Sequence, residues 1–170
     1  MRVALVTDIH FGPLAYSDGK LRKLTHLADE LTRAVARELA DHHRPELLVN
    51  LGDAIEDAEP EADRVQYRRC LAALAEARSP LLHVAGNHDQ VHLADAELAS
   101  LWGRPGPLHY SRDFAGVHFA VLCTRYRHPV EITLPDEQLE WLAADLGATR
   151  LPSIVLVHHP LAEMDLSDSR

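Results

Sequence analysis

The sequence predicts an α/β fold built on a parallel sheet, and three observations carry that prediction. Apolar, β-branched runs alternate with amphipathic helical segments through roughly the first half of the chain. A strand–helix–strand–helix–strand order implies right-handed crossovers and parallel pairing. Each apolar run also ends in chemistry-bearing side chains: Asp8 and His10, Gly52-Asp53, and Gly86-Asn87-His88-Asp89. Open α/β sheets place their ligand sites at that carboxyl edge. With 170 residues, 46% hydrophobic and 25% charged, the composition is that of one domain, residues 1–170, with a core of its own.

The elements follow in order. RVALVT (2–7) reads as a buried strand. Gly12-Pro13 and Ser17-Asp18-Gly19 mark a loop. Leu21, Leu24, Leu27, Ala28, Leu31, Val35 and Leu39 keep helical spacing and predict a long amphipathic helix over 20–43, with Pro45 after its end. ELLVNLGD (46–53) is the second strand. Residues 61–78 form a helix with Tyr67, Leu71 and Leu74 inward, stopped by Ser79-Pro80, and PLLHVAGNHD carries the third strand. The pattern then changes. HYSRDF (109–114), Ala115-Gly116 and VHFAVLCT (117–124) read as a β-hairpin. Pro135 opens a helix over 135–146, with Leu139, Leu142 and Leu146 on one stripe and Gly147 just past its end. SIVLV (153–157) is a last buried strand, running into His158-His159-Pro160 and a polar tail.

Bulk properties narrow the function. A net charge of -9 and the lack of a basic aromatic groove count against gripping an extended nucleic acid. They do not exclude a nucleotide substrate, because bound metal ions can supply local positive charge. Cys70 and Cys123 have no CxxC spacing and read as buried small hydrophobes in a reducing compartment. MRVALV is too short for a signal peptide and no run approaches a membrane span, so the expected location is the cytoplasm.

The polar clusters point to a metal. In Asp8-Ile9-His10 the two ligand-type residues lie two apart, which in extended chain puts both on one side. Carboxylate oxygens, imidazole nitrogens and an amide carbonyl suit Mn, Fe or Zn, and the lack of a thiolate cluster argues against a structural zinc. Asn87-His88-Asp89 alone fits an Asx turn as well as a ligand set. Its occurrence in order with the other clusters, each after an apolar strand, favours the ligand set.

DIH, GDAIED, GNHD and VHHP together resemble the calcineurin-like metallophosphoesterases, whose motifs run DxH, GDxx(x)D, GNH(D/E), a strand-end His and finally GHxH. The resemblance covers nearly the whole chain and extends to LPDEQLEWLAADL. It implies a four-layer αββα sandwich carrying two divalent or mixed-valence ions. Asp8 and His10 would hold one ion, Asn87 and His158 the other, and Asp53 would bridge them. His158 is preferred to His159 as the first residue of its turn. Attack of a metal-bridging hydroxide would hydrolyse a phosphodiester, or a phosphomonoester, with His88 serving the leaving oxygen and Asp89 orienting His88. Gly86 would let the chain turn. The GNHD and HHP variants resemble the small bacterial-type phosphodiesterase branch, which favours the diester; a nuclease of the same superfamily is a further reading.

The GHxH motif has no counterpart, since no Gly-His pair occurs in the chain. The expectation is therefore a chain truncated at its C-terminus, with the second sheet shortened. Water, another His, Glu163, Asp165, Asp168 or a neighbouring chain would supply the missing ligands. The exposed edge predicts a homo-oligomer or a completing chain. The competing class is a non-catalytic metal-binding module. His42 and His43 suit a helix C-terminus. His26, His83, His109 and His118 read as packing or surface residues, and Trp102 and Trp141 as core anchors. His92 and His128 lie nearer the site. Glu56 and Asp57 read as charges opening the second helix. Arg125 and Arg127 fit a phosphate contact or a solvated strand end.

Overall fold

The computed structural model describes residues 1–17, 19–127 and 131–160. Asp18, His128, Glu163, Asp165 and Asp168 lie outside the described residues, as does the side chain of Arg127. Strand β1 (Val3–Val6) is followed by a hairpin of β2 (Ala15–Ser17) and β3 (Lys20–Lys23), where a helix was expected to begin. The turn signal prevails over the leucine spacing there. Gly19 sits at φ +71, a left-handed conformation that closes a hairpin and that a right-handed helix cannot continue. Helix α1 (Ala28–Glu38) starts later, after a 3-10 turn, and runs into a π turn capped by left-handed Arg44.

Strand β4 (Leu47–Asn50) is buried along its length. Helix α2 (Pro60–Leu74) opens on proline, with Glu61 and Asp63 in its first turn, and strand β5 (Leu81–His83) follows. The three strands pair in parallel in the order β1-β4-β5. A short helix α3 (Asp95–Leu101), absent from the sequence reading, buries Leu98 and Ala99. Strands β6 (Tyr110–Phe114) and β7 (Val117–Val121) form the expected hairpin, with Ala115 and Gly116 both at positive φ. A second hairpin, β8 (Arg125–Arg127) and β9 (Glu131–Thr133), was not anticipated. Helix α4 (Asp136–Ala148) runs through Gly147 rather than ending before it. Strand β10 (Ser153–Leu156) pairs in parallel with β7, giving a second sheet ordered β10-β7-β6.

Side-chain alternation along the strands makes four layers. Leu47 and Val49 point from the first sheet toward Phe119, Val121 and Leu156 of the second. Leu48, one residue out of phase, points the other way, onto Ala36, Tyr67, Cys70 and Leu74 of the helices. Helix α4 closes the far side. Asp145 bonds Ser111 and His118, and buried Gln138 bonds both backbone groups of Cys123 at 2.9 and 2.8 Å. The result is the expected αββα sandwich. β10, however, is not a buried strand: Ser153, Ile154 and Val155 are exposed, because it lies at the edge of its sheet among the described residues.

Cys70 and Cys123 are buried free thiols, and burial pushes Cys123 up to about 11. His83 stacks on Trp102, and burial pushes it down to about 4, so it packs as a neutral ring. Among the described residues no helix is long and apolar enough to cross a membrane.

Candidate metal centre

The segments that leave β1 and β4 run side by side. Asp8, His10 and Phe11 donate their backbone N–H groups to the carbonyls of Gly52, Asp53 and Ala54 at 3.0, 3.0 and 2.9 Å, and Glu56 N–H returns to Phe11 at 3.0 Å. Asp8, His10 and Asp53 all adopt left-handed φ, at 54, 53 and 52°. The expected extended Asp-x-His geometry is therefore absent; two left-handed residues converge the side chains instead. His10 Nε2 lies 3.7 Å from Asp8 Oδ1 and 3.7 Å from Asp53 Oδ2. That is too long for a hydrogen bond. It is the spacing of atoms that each reach about 2.0–2.2 Å to a shared ion. Non-glycine residues held there cost of order 1–3 kcal/mol each, and such strain clusters at functional sites.

Two glycines make room rather than a turn. A Cβ on Gly86 would stand 2.1 Å from Asp53 Oδ1 and 2.3 Å from Asp53 N. A Cβ on Gly52 would meet Gly86 N at 2.6 Å, and its φ of +109° suits glycine alone. The two backbones thus pass back to back, and Asp53 sits in the space.

Asp89 does not orient His88. Its buried carboxylate accepts four backbone N–H groups: Asp53 and Gly86 on Oδ2 at 3.0 and 2.9 Å, Ala54 and Ile55 on Oδ1 at 2.9 and 3.4 Å. Burial pushes the carboxyl up to about 7, against the pull of those donors. The partner of His88 is Asp57, whose Oδ1 is hydrogen-bonded to Nδ1. Glu56 does the same for His10, with Oε2 2.9 Å from Nδ1. Both carboxylates precede α2, so they are site residues rather than helix-opening charges. Lys23, carried on β3, reaches Glu56 at 2.8 Å, His10 Nδ1 at 3.3 Å and His88 Nε2 at 3.4 Å.

The other side of Asp53 belongs to the last strand. His158 Nδ1 bonds the Leu51 carbonyl at 2.9 Å, which leaves Nε2 free to face Asp53 Oδ1 at 3.6 Å. Asn87 stands at the start of a 3-10 turn (His88–Gln90) but its side chain makes no capping bond; its Oδ1 meets His159 Nε2 at 3.0 Å, and His159 Nδ1 meets Thr124 Oγ1 at 2.7 Å. His159 therefore holds Asn87, while His158 faces Asp53. Burial raises the Asp53 carboxyl, but His158 and His88 outweigh it and leave it below its ordinary value. Burial, and then the Lys23 charge, hold His10 below its own.

Asp8, His10, Asp53, Asn87, His88 and His158 all come to one strand-end cluster. Glu56, Asp57, Lys23 and His159 join them. Asp57 fills the last position of the GDxx(x)D spacing, the one signal in the sequence that could have found it; Lys23 has none. Two residues near the cluster are structural ties. His92 Nδ1 bonds buried Asp63 at 2.8 Å, and Arg125 bonds Asp95 and Gln90 at 2.9 and 2.6 Å. The described residues offer two three-donor groups, Asp8-His10-Asp53 and His10-Glu56-His88. The first is open to solvent through Asp8. The second is already neutralised by Lys23.

Comparison with known proteins shows which family and fold the chain is similar to. The family model for calcineurin-like phosphoesterases matches residues 1–169. A Synechococcus sp. protein named as a probable cyclic nucleotide phosphodiesterase is 31% identical over 119 residues, covering 68% of this chain. The matched stretch is 43% of that protein, so this chain spans less than half of it. Among solved structures, a dimetal phosphatase from Danio rerio superposes with a TM-score of 0.73 over 94% of this chain and 70% of its own, at 16% identity. The purple acid phosphatase of yellow lupin (Lupinus luteus) seeds gives 0.59 over 95% and 30%, also at 16% identity. At that identity the two structures establish the fold.

Proposed function

Since the chain belongs to the calcineurin-like phosphoesterase family, we propose that it is a metal-dependent phosphoesterase acting on a phosphodiester in preference to a monoester. The observation that carries this is Asp53. Its two carboxylate oxygens face different histidines, Oδ2 toward His10 and Oδ1 toward His158. A carboxylate so placed is built to bridge two ions. The donor set of carboxylates, imidazoles and one amide fits a divalent pair: Asp8, His10 and Asp53 on one side, Asp53 and His158 with Asn87 on the other. A metal pair there supplies Lewis acidity to a phosphoryl oxygen and lowers the pKa of water.

The remaining steps fall to side chains. Asp57 holds the His88 Nδ1 proton, so Nε2 is the working nitrogen. In its protonated form Nε2 donates to the leaving oxygen. Glu56 holds His10 in the orientation that aims Nε2 at Asp53. The likeness to a protein named as a cyclic nucleotide phosphodiesterase supports the preference for a diester.

The test compares hydrolysis of bis(p-nitrophenyl) phosphate and p-nitrophenyl phosphate by Mn²⁺-loaded chain and by Asp53→Asn. The expected result is faster diester turnover, abolished by chelation and by the substitution. Equal turnover in the Asp53→Asn protein would refute the assignment.

A further inference from the structure

The candidate site opens into a second space. A groove of about 510 Å³ runs between the carboxyl end of β1 and α1, with Asp8, His10 and Lys23 at one end and mostly apolar side chains, interrupted by Thr7, Thr25 and Thr32, along the rest. Its floor is core: Ala36 and Leu48 are each 1% exposed. Its rim is not. Leu5, Leu24, Leu31 and Val35 stand 59, 55, 56 and 49% exposed around it. Single exposed apolar residues need no explanation, but four around one groove do. A mostly apolar cleft of a few hundred Å³, with a few polar groups converging at one end, is the make-up of a small-molecule site.

The polar end fixes what the groove would hold. Lys23 Nζ is 3.4 Å from His88 Nε2, the nitrogen that serves the leaving oxygen, and Lys23 also lines the groove. An alcohol leaving at His88 departs at the groove's mouth. We propose that the groove receives an apolar leaving alcohol. The substrate class would then be a lipid-like phosphoester, its phosphoryl group at Asp8, His10 and Lys23 and its chain lying between β1 and α1. This rests on the phosphoesterase reading above. In the reaction the bond between phosphorus and the alcohol oxygen breaks, and that oxygen takes the His88 proton. The oxygen of water joins phosphorus, and a proton of that water restores His88. A polar sugar alcohol would gain little from walls that are mostly apolar. A second copy pairing with β1, an edge strand among the described residues, would cover them by other means.

The experiment titrates n-alkyl phosphates, butyl to octyl, into the Mn²⁺-loaded chain by calorimetry, beside Leu31→Asp and Val35→Asp. Affinity should rise about two- to fourfold per methylene in the parent chain, and that slope should largely vanish in both variants. The slope is a ratio within one protein, so a variant that merely binds phosphate less well does not imitate the result. No slope in the parent chain, or an unchanged slope in both variants, overturns the proposal. So does a dimer in sedimentation that Leu31→Asp dissolves. Hydrolysis is scored separately. A binding slope without turnover of any ester would refute the phosphoesterase reading and leave the groove standing; turnover without a slope would do the reverse.

Discussion

Asp89→Asn should unfold this protein more readily while barely changing its shape. The four N–H groups around the carboxylate need four acceptor positions, two on each oxygen. An amide keeps one oxygen and turns the other into a donor. With nitrogen at the Oδ2 position, Asp53 and Gly86 lose bonds of 3.0 and 2.9 Å; at the Oδ1 position, Ala54 and Ile55 lose bonds of 2.9 and 3.4 Å. Above about pH 7, where the carboxyl is ionised, a buried bond to a charged acceptor is worth about 1.5–3 kcal/mol, so two lost bonds cost roughly 3–6 kcal/mol, offset in part because the amide buries no charge. The long Ile55 bond makes the second orientation the cheaper one and pulls the expected loss toward the lower end. That is still a large share of the roughly 5–15 kcal/mol typical of a domain. Urea denaturation of the metal-free proteins reads it directly, as a fall in midpoint at constant slope. The control is Asp57→Asn, on a carboxylate 30% exposed, which should cost about 1 kcal/mol or less. A loss below about 1 kcal/mol for Asp89→Asn would refute the view that this carboxylate pins both loops of the candidate site.

Three further outcomes follow from the same geometry. His88→Ala should slow diester hydrolysis by about 10²–10⁴ with metal content intact, measured by elemental analysis beside the rate; a fall in metal content would make His88 a ligand. Gly86→Ala drives a Cβ to 2.1 Å from Asp53 Oδ1, so the purified protein should retain less than the parental metal and melt earlier. His118 lies between Asp145 at 2.8 Å and Asp113 at 2.6 Å, and these two carboxylates hold its imidazolium above the ordinary 6.5. A histidine raised on folding gives stability that is full below the unfolded value and lost as pH rises through the folded one. The melting advantage over His118→Gln should thus be largest in mild acid and shrink as the buffer is taken alkaline; an advantage that grows with pH would contradict the ion pairs.

Strands β1, β4, β5 and β7 were legible because short apolar runs bounded by turn residues have few other readings. The β2–β3 hairpin was not, because Leu21 and Leu24 happen to continue the spacing of α1 toward the N-terminus. Helix α3 has seven residues, too few to show a period. The exposure of β10 depends on which strands lie beside it, and a strand's own residues do not carry that information. At the site, ordered motifs located Asp8, His10, Asp53, Asn87, His88 and His158. Asp89 and His88 are sequence neighbours without being spatial partners. His88–Gln90 form a 3-10 turn, so Asp89 points into the fold while His88 points toward Asp57, 31 residues away. Lys23 arrives on a hairpin from outside every motif, and only the fold brings it there.

The left-handed backbone at Asp8, His10 and Asp53 sets stability and chemistry against each other at the same three positions. Glycine at any of them would relax the chain by about 1 kcal/mol or more and remove a donor. A redesign guided by folding stability alone would therefore rewrite these three residues early, and the more successful it was, the more inert its product.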